Sequence, residues 1–315
     1  MNGRGLPAVV ALGGGHGLYS SLTALRRLTN RLTAVVTVAD DGGSSGRLRA
    51  EFGCLPPGDL RMALAALCGD DEDGRAWASV LQARFAGEGQ LGGHAIGNLL
   101  IAGLWQEMRD PVAGLDMVAD LLNTSGRVLP MSGVPLTIEA DVLGLDEVQP
   151  DELCTLSGQA TVAKTRAQVE RVRLVPEHPP ARPEAVNAVR EADYVVLGPG
   201  SWFTSVIPHL LVPELGDALC QTKARRILTM NIVAAGETDG FSASRHIEIL
   251  AEHAPRLTLD VVIVAPAFAQ ADPHLEQFAA SLGARLFVSD VAARDGSARH
   301  DPHRLAAAYA EVMGL

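Results

Sequence analysis

Short apolar runs alternate along the chain with longer stretches in which apolar residues recur every three or four positions. The first run, Ala8–Leu12, predicts a strand, and the leucines that follow it share one face of a helix. Thr33–Ala39 is dense in β-branched residues and predicts a second strand. This alternation predicts an α/β, Rossmann-like fold, with a mostly parallel sheet and helices on both faces.

The alternation continues to the C-terminus with one interruption. Asp59 is a suitable N-cap for a helix over Leu60–Leu67, and Ala95–Met108 predicts an apolar helix. Further strands are predicted at Asp193–Leu197, Arg226–Ile232, Leu257–Val264 and Arg285–Val288. Further helices are predicted at Pro183–Ala192, Ser242–Ala254, Asp272–Leu282 and Pro302–Met313.

The middle of the chain has a different pattern. Leu136–Leu143 and Ala160–Val175 alternate between apolar and polar positions, with a turn signal at Ser157 and Gly158 between them. The proline-rich stretch Pro176–Pro183 is typical of a connector. We therefore expect a small β-rich insertion or flap over residues 133–178, within a single domain that spans residues 1–315.

Composition and charge narrow the classes of function. The 315 residues include 26 Lys plus Arg against 37 Asp plus Glu, a net charge of −11, and only 4% are aromatic. These values argue against a nucleic-acid-binding surface. The four cysteines form no CxxC pair, which favours reduced thiols and a cytoplasmic location. No apolar run is long enough to predict a membrane span. An acidic α/β protein of this size is expected to be a homo-oligomer.

Four glycine-bearing segments each follow a predicted strand or open a predicted helix. Glycine allows a ligand to approach backbone N–H groups closely, and a helix N-terminus beyond such a loop favours phosphate. Several such loops at the carboxyl ends of parallel strands favour a phosphate-rich ligand at the point where the strand order reverses. The segments are Gly13–Gly17, Gly42–Gly46, Gly92–His94 and Gly198–Ser201.

Acidic residues lie beside these loops. The first loop is near the dinucleotide fingerprint at Gly13 and Gly15, although its third glycine is missing. Asp40 ends the second predicted strand, roughly where a ribose-binding acid would stand. Asp40 and Asp41, with Asp59 as a third ligand, could hold a divalent cation. Equally, Asp40 and Asp41 could hydrogen-bond the hydroxyls of a sugar, and the pattern leaves both interpretations open.

Three arginines, Arg47, Arg49 and Arg61, lie near these acids. A guanidinium matches phosphate geometry, so they are candidate anion clamps, with Arg49 better explained as an ordinary surface residue.

Polar groups at the start of the helix over Ala95–Met108 are further candidates. His94 and Asn98 lie about one helical turn apart there, and His94 is expected to contact the ligand. His246 and His253 share a predicted helix without another plausible ligand and are expected on the surface. The GxSxG, GxxxxGK[ST] and HExxH motifs do not occur, so nucleophile-elbow, P-loop and zincin chemistry are unsupported.

Six segments together have the pattern of a known family, and the run DDGGSSGRLR followed by LPPGD is long and specific. The segments are Val9–Leu18, Thr37–Arg49, Leu55–Arg61, Gly93–Leu100, Leu197–Leu211 and Gly236–His246. On these segments the chain resembles the YvcK-type gluconeogenesis factors, relatives of the 2-phospho-L-lactate transferase (CofD) fold. The resemblance covers essentially the whole chain.

The resemblance implies a Rossmann-like protein that binds UDP-N-acetylglucosamine and acts as a regulator. Its implied role is in morphogenesis, cell-wall supply and growth on gluconeogenic carbon sources, through protein partners, and no catalytic residue is implied. The glycine loops would hold the phosphates, and carboxylates and amides would bind hydroxyls or base edges. The predicted ligand-binding residues are Gly13, Gly14, Gly15, His16, Asp40, Asp41, Ser44, Arg47, His94, Asn98, Gly198, Gly200, Ser201, Asn231, Thr238, Phe241 and Arg299.

The chain departs from its relatives in two places. His16 stands where they usually have threonine, and Phe241 where they have tyrosine, whereas Arg299 is the candidate for a basic residue that they place against the nucleotide. The alternative function is a Mg²⁺-dependent phosphotransferase of the 2-phospho-L-lactate transferase type, in which Asp40, Asp41 and Asp59 would hold the cation. That branch lacks the GGSSGRLR run, which argues against transferase activity.

Overall fold

Strands form two separate sheets in the computed structural model, which describes residues 5–146 and 148–315. In chain order the strands are β1 (Val9–Gly13), β2 (Leu32–Val36), β3 (Arg127–Pro130), β4 (Thr137–Leu143), β5 (Cys154–Ser157), β6 (Gln168–Val175), β7 (Tyr194–Leu197), β8 (Arg225–Thr229), β9 (Val261–Val264) and β10 (Arg285–Val288).

Helices surround the larger sheet and fill the crossovers between its strands. They are α1 (Gly15–Leu25), α2 (Gly43–Phe52), α3 (Gly58–Leu67), α4 (Glu72–Gln82), α5 (Ile96–Met108), α6 (Pro111–Leu121), α7 (Gln159–Val162), α8 (Pro183–Glu191), α9 (Pro208–Leu211), α10 (Pro213–Gln221), α11 (Ala243–His253), α12 (Pro266–Gln270), α13 (Leu275–Ser281) and α14 (Pro302–Met313). No described helix is both long enough and apolar enough to cross a membrane.

The larger sheet has seven parallel strands in the order β10-β9-β8-β7-β1-β2-β3. Every residue of β1 and β9 is buried, because helices cover both faces and a strand between two helical layers must be apolar throughout. The chain order reverses between β1 and β7. The predicted α/β class and mostly parallel sheet are confirmed.

The second sheet forms the β-rich middle of the chain, antiparallel in the order β5-β4-β6. β4 alternates strictly, with Ile138, Ala140 and Val142 buried, as expected for a sheet with one covered face. On the outer face, Arg173 pairs with Glu139 and Asp141, each at 2.8 Å. The predicted small β-rich insertion is therefore present. We call residues 133–178 the insertion.

Some element boundaries differ from the predictions, mostly where tertiary contacts override the local pattern. β2 ends at Val36 because the chain beyond it turns toward the insertion, where Leu136 N–H donates to the Val38 carbonyl at 3.0 Å. α7 interrupts the strand predicted over Ala160–Val175. β3 (Arg127–Pro130) was not predicted, because four residues are too short for a periodic pattern.

The predicted starts of α3, α13 and β9 were also wrong. Asp59 is not an N-cap, because α3 begins at Gly58 with Pro57 at the cap. The helix expected from Asp272 begins at Leu275, since the Asp272 carboxylate accepts from His274 N–H at 3.0 Å in a preceding turn. β9 begins at Val261 and not at Leu257.

Candidate functional site

The two strands at which the chain order reverses each lead into a glycine loop. Gly14 and its successors follow β1, and Gly198–Ser201 follow β7, so both loops lie at the crevice where open α/β sheets bind ligands. The loops touch: a β-carbon on Gly17 would overlap the backbone of Pro199. Glycine at position 17 is thus required by the close approach of the second loop.

The Asp59 carboxyl faces the first loop. Its Oδ2 lies 2.6 Å from the position that a β-carbon on Gly14 would take. Burial, and then the charge of Asp40, raises the pKa of Asp59 to about 7, although a hydrogen bond from the backbone of Gly15 and the charge of Arg61 oppose the shift. Asp59 is therefore a carboxyl that changes its charge near neutral pH, beside the start of α1, where the cap residue Gly14 has no side chain.

Asp40 and Asp41 make contacts with different parts of the structure. Asp40 Oδ1 accepts from Gly42 N–H at 2.9 Å and stays beside the glycine loops. The Asp41 carboxylate turns to the insertion, where Oδ1 accepts from Ala160 N–H at 2.9 Å. Among the described residues, no group of three or more His, Cys, Asp or Glu side chains is arranged to hold a metal ion. Asp41 thus bonds the insertion, whereas Asp40 stays beside the loops with Asp59, and the cation role of the three acids stays a hypothesis.

Ser44, which lies 50 residues before His94 in the sequence, forms one buried cluster with His94 and Asn98. Ser44 Oγ lies 2.9 Å from His94 Nδ1 and accepts from Asn98 Nδ2 at 3.0 Å. Burial, and then the charge of Arg47, lowers the pKa of His94, so this imidazole is neutral at pH 7. The Asn98 Oδ1 atom is buried with no hydrogen-bond partner within the described chain. The cluster supports the start of α2.

The three arginines do not point free guanidinium groups into the crevice. Arg47 donates to the carbonyl oxygens of Gly92, at 2.8 Å, and of Gln90. Arg61 is buried and donates to Gln82 Oε1 at 2.9 Å, and burial lowers its pKa. The clamp role predicted for Arg47 and Arg61 thus has no support from their contacts.

Arg49, expected as a surface residue, is half-buried and tied to the insertion. It donates to the Leu136 carbonyl at 2.6 Å and to Thr137 Oγ1 at 2.9 Å.

The second glycine loop is held by polar side chains from the β8 side. Asn231 bonds both backbone groups of Gly200, accepting from its N–H and donating to its carbonyl, each at 2.9 Å. The Ser201 hydroxyl donates to Glu237 Oε1 at 2.5 Å. Asn231 and Ser201 therefore shape the loop, and their predicted contact with the ligand stays a prediction.

Glu237 is a site residue that the sequence interpretation missed. Its side chain is only 6% exposed, and burial raises its pKa against hydrogen bonds from Ser201 and from the backbone of Trp202 and Phe203. The available signal was its place in GETDG, between two glycines beyond the carboxyl end of β8.

The remaining predicted residues are divided between interior and surface. Thr238 is buried and donates to the Ala235 carbonyl at 3.1 Å. Phe241 packs edge-on against Phe203. His16, in the first turn of α1, and Arg299, in the segment before α14, are exposed.

The prediction that His246 and His253 lie on the surface was wrong. His246 is fully buried among aromatic rings, with its ring centroid 5.1 Å from that of Trp202. His253 is partly buried, and its Nε2 accepts from Val172 N–H at 3.2 Å. Burial lowers the pKa of both histidines.

Three comparisons with known proteins each match nearly the whole chain or most of it. The family model described as 2-phospho-L-lactate transferase CofD matches residues 9–297. A protein of Mycobacterium tuberculosis is 56% identical over 303 residues, which cover 95% of this chain and 88% of that protein. The gluconeogenesis factor of Listeria monocytogenes is 39% identical over 259 residues, covering 82% and 77%. A crystal structure of a UPF0052-family protein from Bacillus halodurans superposes with a TM-score of 0.84 at 31% identity, covering 97% and 99%.

Proposed function

Because the chain belongs to the CofD family and its two glycine loops meet at the switch point, we propose that it binds a UDP-sugar, UDP-N-acetylglucosamine, in this crevice. The observation that carries the proposal is the contact between Gly17 and the Pro199 backbone, which packs two strand-to-helix loops against each other. Backbone N–H groups at the start of α1, where the cap residue Gly14 has no side chain, suit a diphosphate.

The chemistry around the loops suits the rest of such a ligand. Asp40 and Asp59 supply acceptors for sugar hydroxyls on one side of the crevice. Ser201 and Asn231 lie on the other side. The exposed His16 imidazole, in place of a threonine hydroxyl, leaves phosphate binding to the backbone of the first loop. Arg299 is the candidate basic residue for the nucleotide.

The direct experiment is isothermal titration with UDP-N-acetylglucosamine, with and without EDTA, and with NAD as the control ligand. Saturable binding that survives EDTA, with no binding of NAD, is the expected result. Absence of UDP-sugar binding would overturn the proposal. Binding only when Mg²⁺ is present would instead favour the phosphotransferase alternative.

The Mg²⁺-dependent alternative makes a different demand on the same carboxylates. Mg²⁺ is usually bound by one or two carboxylates together with the phosphates of the substrate. Asp41 is committed to Ala160, so Asp40 and Asp59 are the carboxylates that would hold the cation in that alternative.

For the biological role, we infer a cytoplasmic regulator that is needed for growth on gluconeogenic carbon sources and for cell shape. The support is the name of the Listeria relative, gluconeogenesis factor, together with sequence identity over most of both chains. The ligand would act by biasing a conformation that a protein partner in cell-wall or carbon metabolism recognises. Expression of this chain in a bacterium that lacks its own gluconeogenesis factor should restore growth on a gluconeogenic carbon source, and failure of an expressed, folded protein to do so would contradict the role.

A further inference from the structure

The insertion is attached to the first side of the crevice by two polar links. Ala160 N–H at the start of α7 donates to the Asp41 carboxylate at 2.9 Å. Asp41 lies in the segment that follows β2. Arg49 of α2 donates to the Leu136 carbonyl at 2.6 Å and to Thr137 Oγ1 at 2.9 Å, at the start of β4. Both links join the β2 side of the sheet to the insertion.

A separate set of contacts attaches the insertion to the opposite side. Gly236 has a φ of +62°, and a β-carbon on it would lie 3.2 Å from the Ala163 carbonyl oxygen, immediately after α7. Val172 N–H of β6 donates to His253 Nε2 of α11 at 3.2 Å. Because β2 and β8 lie on opposite sides of the switch point, the insertion spans the crevice from one side to the other.

One buried carboxylate connects the second glycine loop to this contact. Glu237 follows Gly236 in a single 3₁₀ turn, and its Oε1 accepts from Ser201 Oγ at 2.5 Å. A buried carboxylate that loses a donor must find another or move, because an unpaired buried charge is costly. A change at Ser201 therefore reaches the turn that touches Ala163.

We propose that the insertion is a strap over the switch-point crevice. Glu237 is the positioning residue through which a ligand at the Gly198–Ser201 loop changes the contact between the Gly236 turn and the strap. The ligand half of this proposal rests on the proposed function, whereas the strap itself does not. A ligand group that bonds Ser201 shifts the Ser201–Glu237 bond, the Gly236 turn follows, and the segment after α7 changes its contact with the main sheet.

The ligand-free protein tests the strap by hydrogen–deuterium exchange over residues 158–168. Asp41→Asn and Glu237→Gln each remove one charged acceptor from one side of the crevice with little change in shape. Each should speed exchange in this segment about tenfold, the size of effect expected for losing a hydrogen bond to a charged group. Asp239→Asn is the matched control, since Asp239 is exposed in the same turn and should leave exchange unchanged. Exchange at the wild-type rate in both test variants would overturn the strap.

The ligand-bound protein tests the positioning role. Saturating UDP-N-acetylglucosamine should slow exchange over residues 158–168 in the wild type and in Asp239→Asn, but at least threefold less in Glu237→Gln at equal occupancy, with occupancy measured by titration of the same samples. Equal protection in Glu237→Gln and wild type would overturn the role of Glu237. If the wild type binds no UDP-sugar, the proposed function and the ligand half fail together, and the ligand-free experiment still decides the strap.

Discussion

Asp59 Oδ2 lies 2.6 Å from the place where a β-carbon on Gly14 would stand, so the first glycine loop is packed directly against a carboxyl. This arrangement puts a titratable group where the backbone donors of α1 begin. The pKa of Asp59, raised to about 7 by burial and by Asp40, makes the ligand-free loop sensitive to pH in the neutral range.

Asp59→Asn should remove a pH-dependent destabilisation. The folded-state pKa is raised above the unfolded value, so the stability linked to the protonated carboxyl is present at low pH and is lost as pH rises toward 7. Between pH 5 and pH 8 the free energy of unfolding of the wild type should fall by about 1–3 kcal/mol relative to the variant. Urea denaturation at both pH values measures this, with Asp120→Asn at an exposed position of α6 as the control. A constant difference between wild type and Asp59→Asn would contradict the account.

His209 should give the opposite pH dependence. This imidazole is fully buried, its Nε2 lies 3.1 Å from the Val35 carbonyl, and burial lowers its pKa to about 4. Stability linked to the neutral ring is present above the unfolded pKa of about 6.5 and is lost as pH falls toward 4. From pH 7.5 to pH 5 the wild type should lose about 2 kcal/mol relative to His209→Gln, which keeps a donor for Val35. A difference in the free energy of unfolding between wild type and His209→Gln that is the same at pH 7.5 and pH 5 would rule this out.

Gly17→Ala should separate the two glycine loops. Its β-carbon would overlap the Pro199 backbone, and overpacking of this kind costs about 1–3 kcal/mol. Gly103→Ala is the matched control, because Gly103 is an exposed position of α5 with open space around its β-position, and the change should add about 0.5–1 kcal/mol of helix stability. Thermal denaturation compares the two, and equal melting temperatures would show that the loops do not touch as described.

Ser44→Ala should destabilise the protein, because it removes the central hydroxyl of the buried polar cluster. The change leaves the Asn98 amide and the His94 ring without the hydroxyl between them, at about 1–3 kcal/mol. Ser79→Ala, at an exposed position of α4, is the control and should be near neutral. A Ser44→Ala protein as stable as the control would mean that the cluster contributes nothing.

The sequence predicted the sheet and the glycine loops well because their signals are local: apolar runs of strand length and glycines directly after them. It also placed Ser44, His94 and Asn98 among the site residues, though their mutual contacts depend on the packing of α2 against α5. It could not assign Asp41 to the insertion or Glu237 to Ser201, because those partners lie 119 and 36 residues away. His246 is a polar residue in an amphipathic helix, so the sequence pattern assigns it to the exposed face. Only its packing against the Trp202 ring shows that it belongs to the interior.

The most direct test of the central claim is a paired titration of UDP-N-acetylglucosamine into the wild type and Gly14→Ala in the presence of EDTA. A β-carbon on Gly14 would collide with Asp59 and with Thr37, and so distort the loop proposed to hold the diphosphate. The account predicts saturable binding to the wild type and binding weakened at least tenfold in a Gly14→Ala protein that remains folded by circular dichroism. No binding to the wild type, or equal binding to both proteins, would contradict it.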